Sequence, residues 1–130
     1  MSIGEYYMAA GKVDLIIEKG ATFRKTFKWL NSLKQAIDIH EYTGRMQIRS
    51  STYGSIIASL TTENGGLTLG ADGTVKLYIS DTATSAITYQ GNAVYDLELI
   101  AVPGVNPEDP PPDVIKFLRG SVSFVEEVTK

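Results

Sequence analysis

The sequence has no cysteine and only one histidine, His40. The first absence excludes a disulfide framework and any thiolate metal site, so packing alone must hold the fold. The second leaves a metal centre with little beyond oxygen ligands, and leaves acid–base chemistry a single imidazole. Long apolar runs are missing too. The longest span a few residues, against roughly 20 for a membrane-crossing helix, and the opening MSIGEYYMAAGK carries Glu5 early with no sustained apolar stretch, unlike a signal peptide. These absences predict a soluble chain with no membrane span. Basic charge is not in excess either: 12 Lys and Arg face 15 Asp and Glu, a net charge of −3. That argues against nonspecific binding to duplex nucleic acid, which needs a concentrated basic surface.

What remains is an ordinary globular composition, 43% hydrophobic and 21% charged over 130 residues, enough for one core. The dominant signal is period two between turn residues, the pattern of half-buried strands. Over residues 12–19, Val13, Leu15 and Ile17 share a face. Phe23, Lys25, Phe27 and Trp29 then alternate with Thr22, Arg24, Thr26 and Lys28, and residues 31–35 form a polar hairpin loop. After the short extended piece 37–39, Met46 and Ile48 point in while Arg45, Gln47 and Arg49 point out. Residues 56–60, then Leu67 and Leu69, lead to Asp72-Gly73, which reads as a hairpin turn with positive φ at both central positions. Val75, Leu77 and Ile79 share a face, as do Tyr95, Leu97 and Leu99. Ser80 caps a short helix near 81–87. Strands at 114–118 and 121–128 close the chain. The expectation is an all-β antiparallel β-sandwich of about 8–9 strands, with an arm at 1–11, a single domain at 12–130 and a stiff proline-rich loop at 103–113.

Chemical constellations are sparse. His40 has Asp38 and Glu41 close in sequence but no nucleophile to activate, so it reads as a solvated turn residue and the chain as no enzyme. Glu108, Asp109 and Asp113 lack the ligand spacing of a calcium loop, and prolines stiffen the segment between them. Asp96 and Glu98, two residues apart, imitate a carboxylate pair but read as the outer face of a strand. No glycine-rich phosphate loop is present. Lys25, Lys28, Arg45 and Arg49 are candidates for a basic stripe, against the simpler reading of ordinary strand exteriors. Tyr6, Tyr7 and Met8 in the arm either tuck onto the chain's own core or contact a neighbouring subunit, and Pro110, Pro111 and Pro112 in the loop are further contact candidates, because aromatics, methionine and pre-extended prolines suit docking.

The order of motifs is more specific than any one of them: Glu18-Lys19-Gly20-Ala21-Thr22-Phe23, then Ile37-Asp38-Ile39 and Tyr42-Thr43-Gly44-Arg45-Met46-Gln47-Ile48-Arg49, then Asp72-Gly73-Thr74-Val75, Tyr95-Asp96-Leu97-Glu98-Leu99 and Leu118-Arg119-Gly120-Ser121-Val122. From Lys12 to Thr129 the chain resembles small virion structural proteins of tailed bacteriophages and, more loosely, the β-sandwich N-terminal domain of phage baseplate upper proteins. The resemblance implies an Ig-like sandwich acting as a non-enzymatic assembly module of the tail or baseplate. It implies a virion location after synthesis in the bacterial host cytoplasm. Its partners would be other virion proteins and further copies of itself in a homo-oligomer, with no cofactor and no specific nucleic acid. The long excursion at 103–113 and the arm depart from the resembled pattern. The alternatives are a capsid or neck decoration protein, or a carbohydrate-binding host-adhesion module using Tyr42, Tyr53, Tyr78 and Tyr89 as stacking platforms.

Overall fold

A computed structural model describes residues 11–104 and 108–129. The arm candidates Tyr6, Tyr7 and Met8 lie outside the described residues. In chain order the elements are β1 (Gly11–Lys12), β2 (Leu15–Glu18), β3 (Phe23–Lys28), β4 (Thr43–Arg49), β5 (Ile56–Thr61), β6 (Leu67–Leu69), β7 (Thr74–Ile79), α1 (Asp81–Ser85), β8 (Asn92–Ile100) and β9 (Val114–Val125). They form a six-stranded sheet in the order β1-β9-β8-β4-β5, with β2 also against β9, and a three-stranded sheet in the order β3-β7-β6. The expected β-sandwich is therefore present, and this strand order is that of an Ig-like sandwich.

Period two does its work where it was read. Leu15 and Ile17 on β2, Met46 and Ile48 on β4, Val75, Leu77 and Ile79 on β7, and Tyr95, Leu97 and Leu99 on β8 all enter one core between the sheets. Each such aliphatic side chain stabilises the fold by about 1.5–3 kcal/mol relative to exposure. Trp29, just beyond β3, packs edge-on against Phe117 of β9 with ring centroids 5.9 Å apart, and against Tyr42 at 6.5 Å. Ser80 caps α1 by accepting the Ala83 N–H at 3.1 Å, and the helix stops at Ser85, short of residue 87. Thr84 is buried and ties the helix to the β2–β3 turn: its hydroxyl donates to the Ala21 carbonyl at 2.8 Å and accepts the Gly20 N–H at 3.1 Å.

Three expectations are corrected. The sandwich is not wholly antiparallel, because β1 and β2 run parallel to β9, with Leu15 opposite Val122 and Ile17 opposite Phe124. Parallel pairing demands a long connection, and nearly the whole chain supplies it here. The two closing strands are one, β9, running through Gly120, while Val128 is exposed. Gly120 is no turn residue; a Cβ there would collide with the Val13 carbonyl, so glycine permits β1–β2 to lie close against β9. A register shift at Leu97/Glu98 lets neighbouring Phe117 and Leu118 both face the core. Finally, only Gly73 has positive φ (79°) in its turn. The Gly73 N–H donates to the Gly70 carbonyl at 3.1 Å, and the Gly70 N–H donates to the Thr74 carbonyl at 2.9 Å. This is a three-residue loop whose last residue is left-handed. Asp72 instead accepts the Thr74 hydroxyl at 2.7 Å, which holds its carboxyl below the usual range.

Candidate interaction face

The outer face of the six-stranded sheet is assembled by register. Crossing the strands, Arg45 lies opposite Glu98, and Glu98 opposite Lys116. Gln47 lies opposite Asp96, Asp96 opposite Arg119, and Arg119 opposite Lys12. Ile56 lies opposite Arg49, and Arg49 opposite Val94. Neither strand pattern nor composition brings these residues together; the ladder does.

In the first row, Glu98 is held from both sides. Arg45 Nε donates to its Oε1 at 2.6 Å, and the Lys116 ammonium pairs with its other oxygen. The Glu98 side chain is only 12% exposed, whereas Arg45 is 57% and Lys116 55% exposed, so the carboxylate is sunk beneath two cations that stay wet. Asp96 and Glu98 share a face as read, with Glu98 clamped between two cations and Asp96 exposed, 3.9 Å from Lys116.

The second and third rows border an open cleft of about 440 Å³ lined by Lys12, Arg49, Arg119, Gln47, Asp96 and Thr52, among others. Its walls carry three cations against one carboxylate. Arg49 is held in place: Nε donates to Gln47 Oε1 at 3.0 Å, and a terminal nitrogen donates to the Gly54 carbonyl at 2.9 Å. Beside the cleft, Tyr53 is 98% exposed, Ile56 50% and Val94 36%. Asp14 accepts the Ser121 N–H at 3.0 Å, and that bond holds its carboxyl below the usual range.

The remaining candidates are dispersed. Lys25 and Lys28 belong to β3 in the small sheet, Arg45 and Arg49 to β4 in the large one, so the four make no single stripe. His40 sits on the exposed turn between β3 and β4, its Nδ1 2.6 Å from Asp38 Oδ1. That contact raises the imidazole pKa above 6.5 and lowers the carboxyl pKa below 3.8. Pro110 and Pro111 are exposed and Pro112 half-buried, in the loop whose base is closed by the Ala101 N–H donating to the Asp113 carbonyl at 2.9 Å. Among the described residues, no group of three or more His, Cys, Asp or Glu is arranged to hold a metal. Of the four tyrosines, Tyr42 packs on Trp29 and Tyr89 on Phe124, Tyr78 carries Arg24 over its ring, and Tyr53 stands alone in solvent.

Sequence reasoning passed over Lys19. Its side chain, 6% exposed, donates to the Tyr89 carbonyl and pairs with Glu126, both at 2.7 Å. The signal was available, because Lys19 follows Leu15 and Ile17 on the inward face of the same alternation.

No protein-family model matches the chain, and no curated protein matches it either. Among solved structures, the extracellular domain of the voltage-gated sodium channel beta4 subunit, described as forming parallel homodimers that explain its role in cell–cell adhesion, aligns over 98% of both chains with 8% identity and a TM-score of 0.38. Among the described residues, no helix is long and apolar enough to cross a membrane.

Proposed function

We propose that the chain is a non-enzymatic assembly module working through protein–protein contacts, as a structural component of the tail or baseplate region of a tailed-bacteriophage virion. The observation that carries the assembly reading is the row Ile56–Arg49–Val94 with Tyr53 beside it, where exposed apolar side chains flank a pre-positioned arginine. Tyrosine and arginine are enriched at interface cores, which are also more apolar than the remaining surface. The virion placement rests on the ordered motifs from Lys12 to Thr129. In this role the partners are other virion proteins and further copies of the chain, and the surface needs no cofactor.

Light scattering on the eluting protein across a concentration series tests the first half. Masses stepping to a defined multiple support an assembly module, and they should revert to the monomer when Tyr53 and Ile56 are both changed to serine. A single copy at every concentration removes self-association. For the second half, the protein should co-sediment with particles purified from cells that produce them, and its absence from those particles overturns the virion reading.

A further inference from the structure

The cations on the outer face of the large sheet fall into two sets. Arg45 and Lys116 are balanced by Glu98 and Asp96, the latter through its ion pair with Lys116. Arg49 and Arg119 have no carboxylate partner among the described residues. Arg49 directs Nε and one terminal nitrogen to neutral acceptors, Gln47 and the Gly54 carbonyl, which leaves its other terminal nitrogen open. The exposed Arg119 side chain makes neither a hydrogen bond nor an ion pair among the described residues. Lys12, whose charge also acts on the Asp14 carboxyl, lies opposite Arg119 on the strand away from Asp96, about 5 Å across. Two cations side by side repel, and an anion seated over both relieves that repulsion.

The margin of the cleft is apolar. Exposed Ile56 and Val94 flank Arg49 on the neighbouring strands, and exposed Tyr53 follows Thr52 of the cleft wall. Arg49 and Arg119 are two strands and two residues apart in the ladder, about 12 Å between backbones, a distance an extended segment of about four residues covers.

From this arrangement we infer that the cleft docks an acidic segment of a partner protein, with one carboxylate over Lys12 and Arg119, a second on Arg49, and an apolar side chain against Ile56, Val94 and Tyr53. This rests on the assembly reading above and names the chemistry of the partner. An aliphatic margin suits peptide side chains better than a sugar or phosphate backbone, and a chain of net charge −3 repels a long polyanion. Arg119 offers an open fork for a two-point bond to a carboxylate. Arg49 is already oriented, so it loses little freedom when the segment arrives.

The test is fluorescence anisotropy on the full chain with a short labelled peptide of Glu, Leu and Ser. Wild type should bind it, and at least roughly tenfold more weakly when salt is raised from about 0.05 to about 0.5 M. A peptide with Gln for every Glu, or Gly for every Leu, should bind more weakly than the parent. Arg119→Glu should weaken binding at least roughly tenfold, whereas Lys76→Glu, the same charge change on the small sheet, should leave it unchanged. Arg119→Gln serves should the reversal fail to fold.

Wild type that does not bind the peptide, or that binds it no better than the Arg119 variant does, overturns the inference and leaves the assembly module standing. A monomeric wild type that binds as described supports the cleft while removing self-association. Tighter binding of heparin or single-stranded DNA, lost in the same variant, assigns the cleft to a different polyanion and overturns the inference. Self-association lost in Arg119→Glu, without peptide binding, assigns it to a second copy and does the same.

Discussion

The outer faces of the two sheets use similar side chains to different effect. On the large sheet, each row of cations includes a carboxylate: Glu98 between Arg45 and Lys116 in one, Asp96 beside Arg119 and Lys12 in the next. On the small sheet, Arg24 lies opposite Tyr78, Thr26 opposite Lys76, and Lys76 opposite Thr68, with no carboxylate in any of these pairs. There the cations are kept apart by threonines, and the Arg24 guanidinium lies 4.6 Å from the centroid of the Tyr78 ring. Like charges on adjacent strands are thus managed in two ways, by a sunken counter-ion on one face and by spacing plus an aromatic on the other. The first is the costlier to disturb, because it has a buried charge at its centre.

That difference can be broken at its strongest point by Glu98→Ala, which leaves Arg45 and Lys116 facing each other. Loss of a paired buried carboxylate costs up to about 3–5 kcal/mol, but both cations remain more than half exposed and rehydrate, so about 1–3 kcal/mol is expected in urea unfolding. A loss under about 0.5 kcal/mol would put the two faces on equal footing. On the small sheet, Tyr78→Ala removes the Arg24 stack and should cost only about 0.5–1 kcal/mol in the same assay. A larger loss there than at Glu98 would invert the ranking.

The smallest effect belongs to the connection that carries the chain from the small sheet to the large one, where Asp38 meets His40. His40 has a raised folded pKa, so its contribution is complete below the usual 6.5 and is lost as pH rises through the folded value. Asp38 has a lowered one, so its contribution holds above 3.8 and is lost as pH falls through its folded value. The contact therefore works fully between those two pH values. In an NMR titration, the His40 midpoint should lie above the usual imidazole value in wild type and fall in Asp38→Asn. Identical midpoints in both proteins would show that the Asp38 contact does not form.

The core was legible because burial and period two coincide on β4, β7 and β8, where neighbours on both sides force strict alternation. The same rule, carried one step past Ile17, puts Lys19 on an inward face, but the Tyr89 and Glu126 partners that hold it lie far along the chain. Glu98 lies on the outer face as read, but the two cations that clamp it were not legible. A strand pattern assigns a face, not the strands that will flank it, and here β4 and β9 each bring a cation. Gly120 serves a close backbone approach and Gly73 a left-handed turn, a distinction that needs the neighbouring strand. The cleft is the extreme case, since its residues come from β1, β4, the β4–β5 loop, β8 and β9 and meet only through register.

The parallel contact between β2 and β9 has a mechanical consequence. Tension applied upstream of β1 and downstream of β9 pulls these two strands in opposite directions along their length. The ladder from Leu15–Val122 to Glu18–Val125, extended by the Lys19 N–H donating to the Val125 carbonyl at 2.9 Å, is then loaded in shear, with its bonds sharing the force together. An antiparallel terminal pair pulled in the same way would unzip one bond at a time. The Lys19–Glu126 ion pair sits at the upper end of that ladder as a further latch. A fold joined this way resists load applied along β2 and β9, and in force spectroscopy it should yield in one abrupt step.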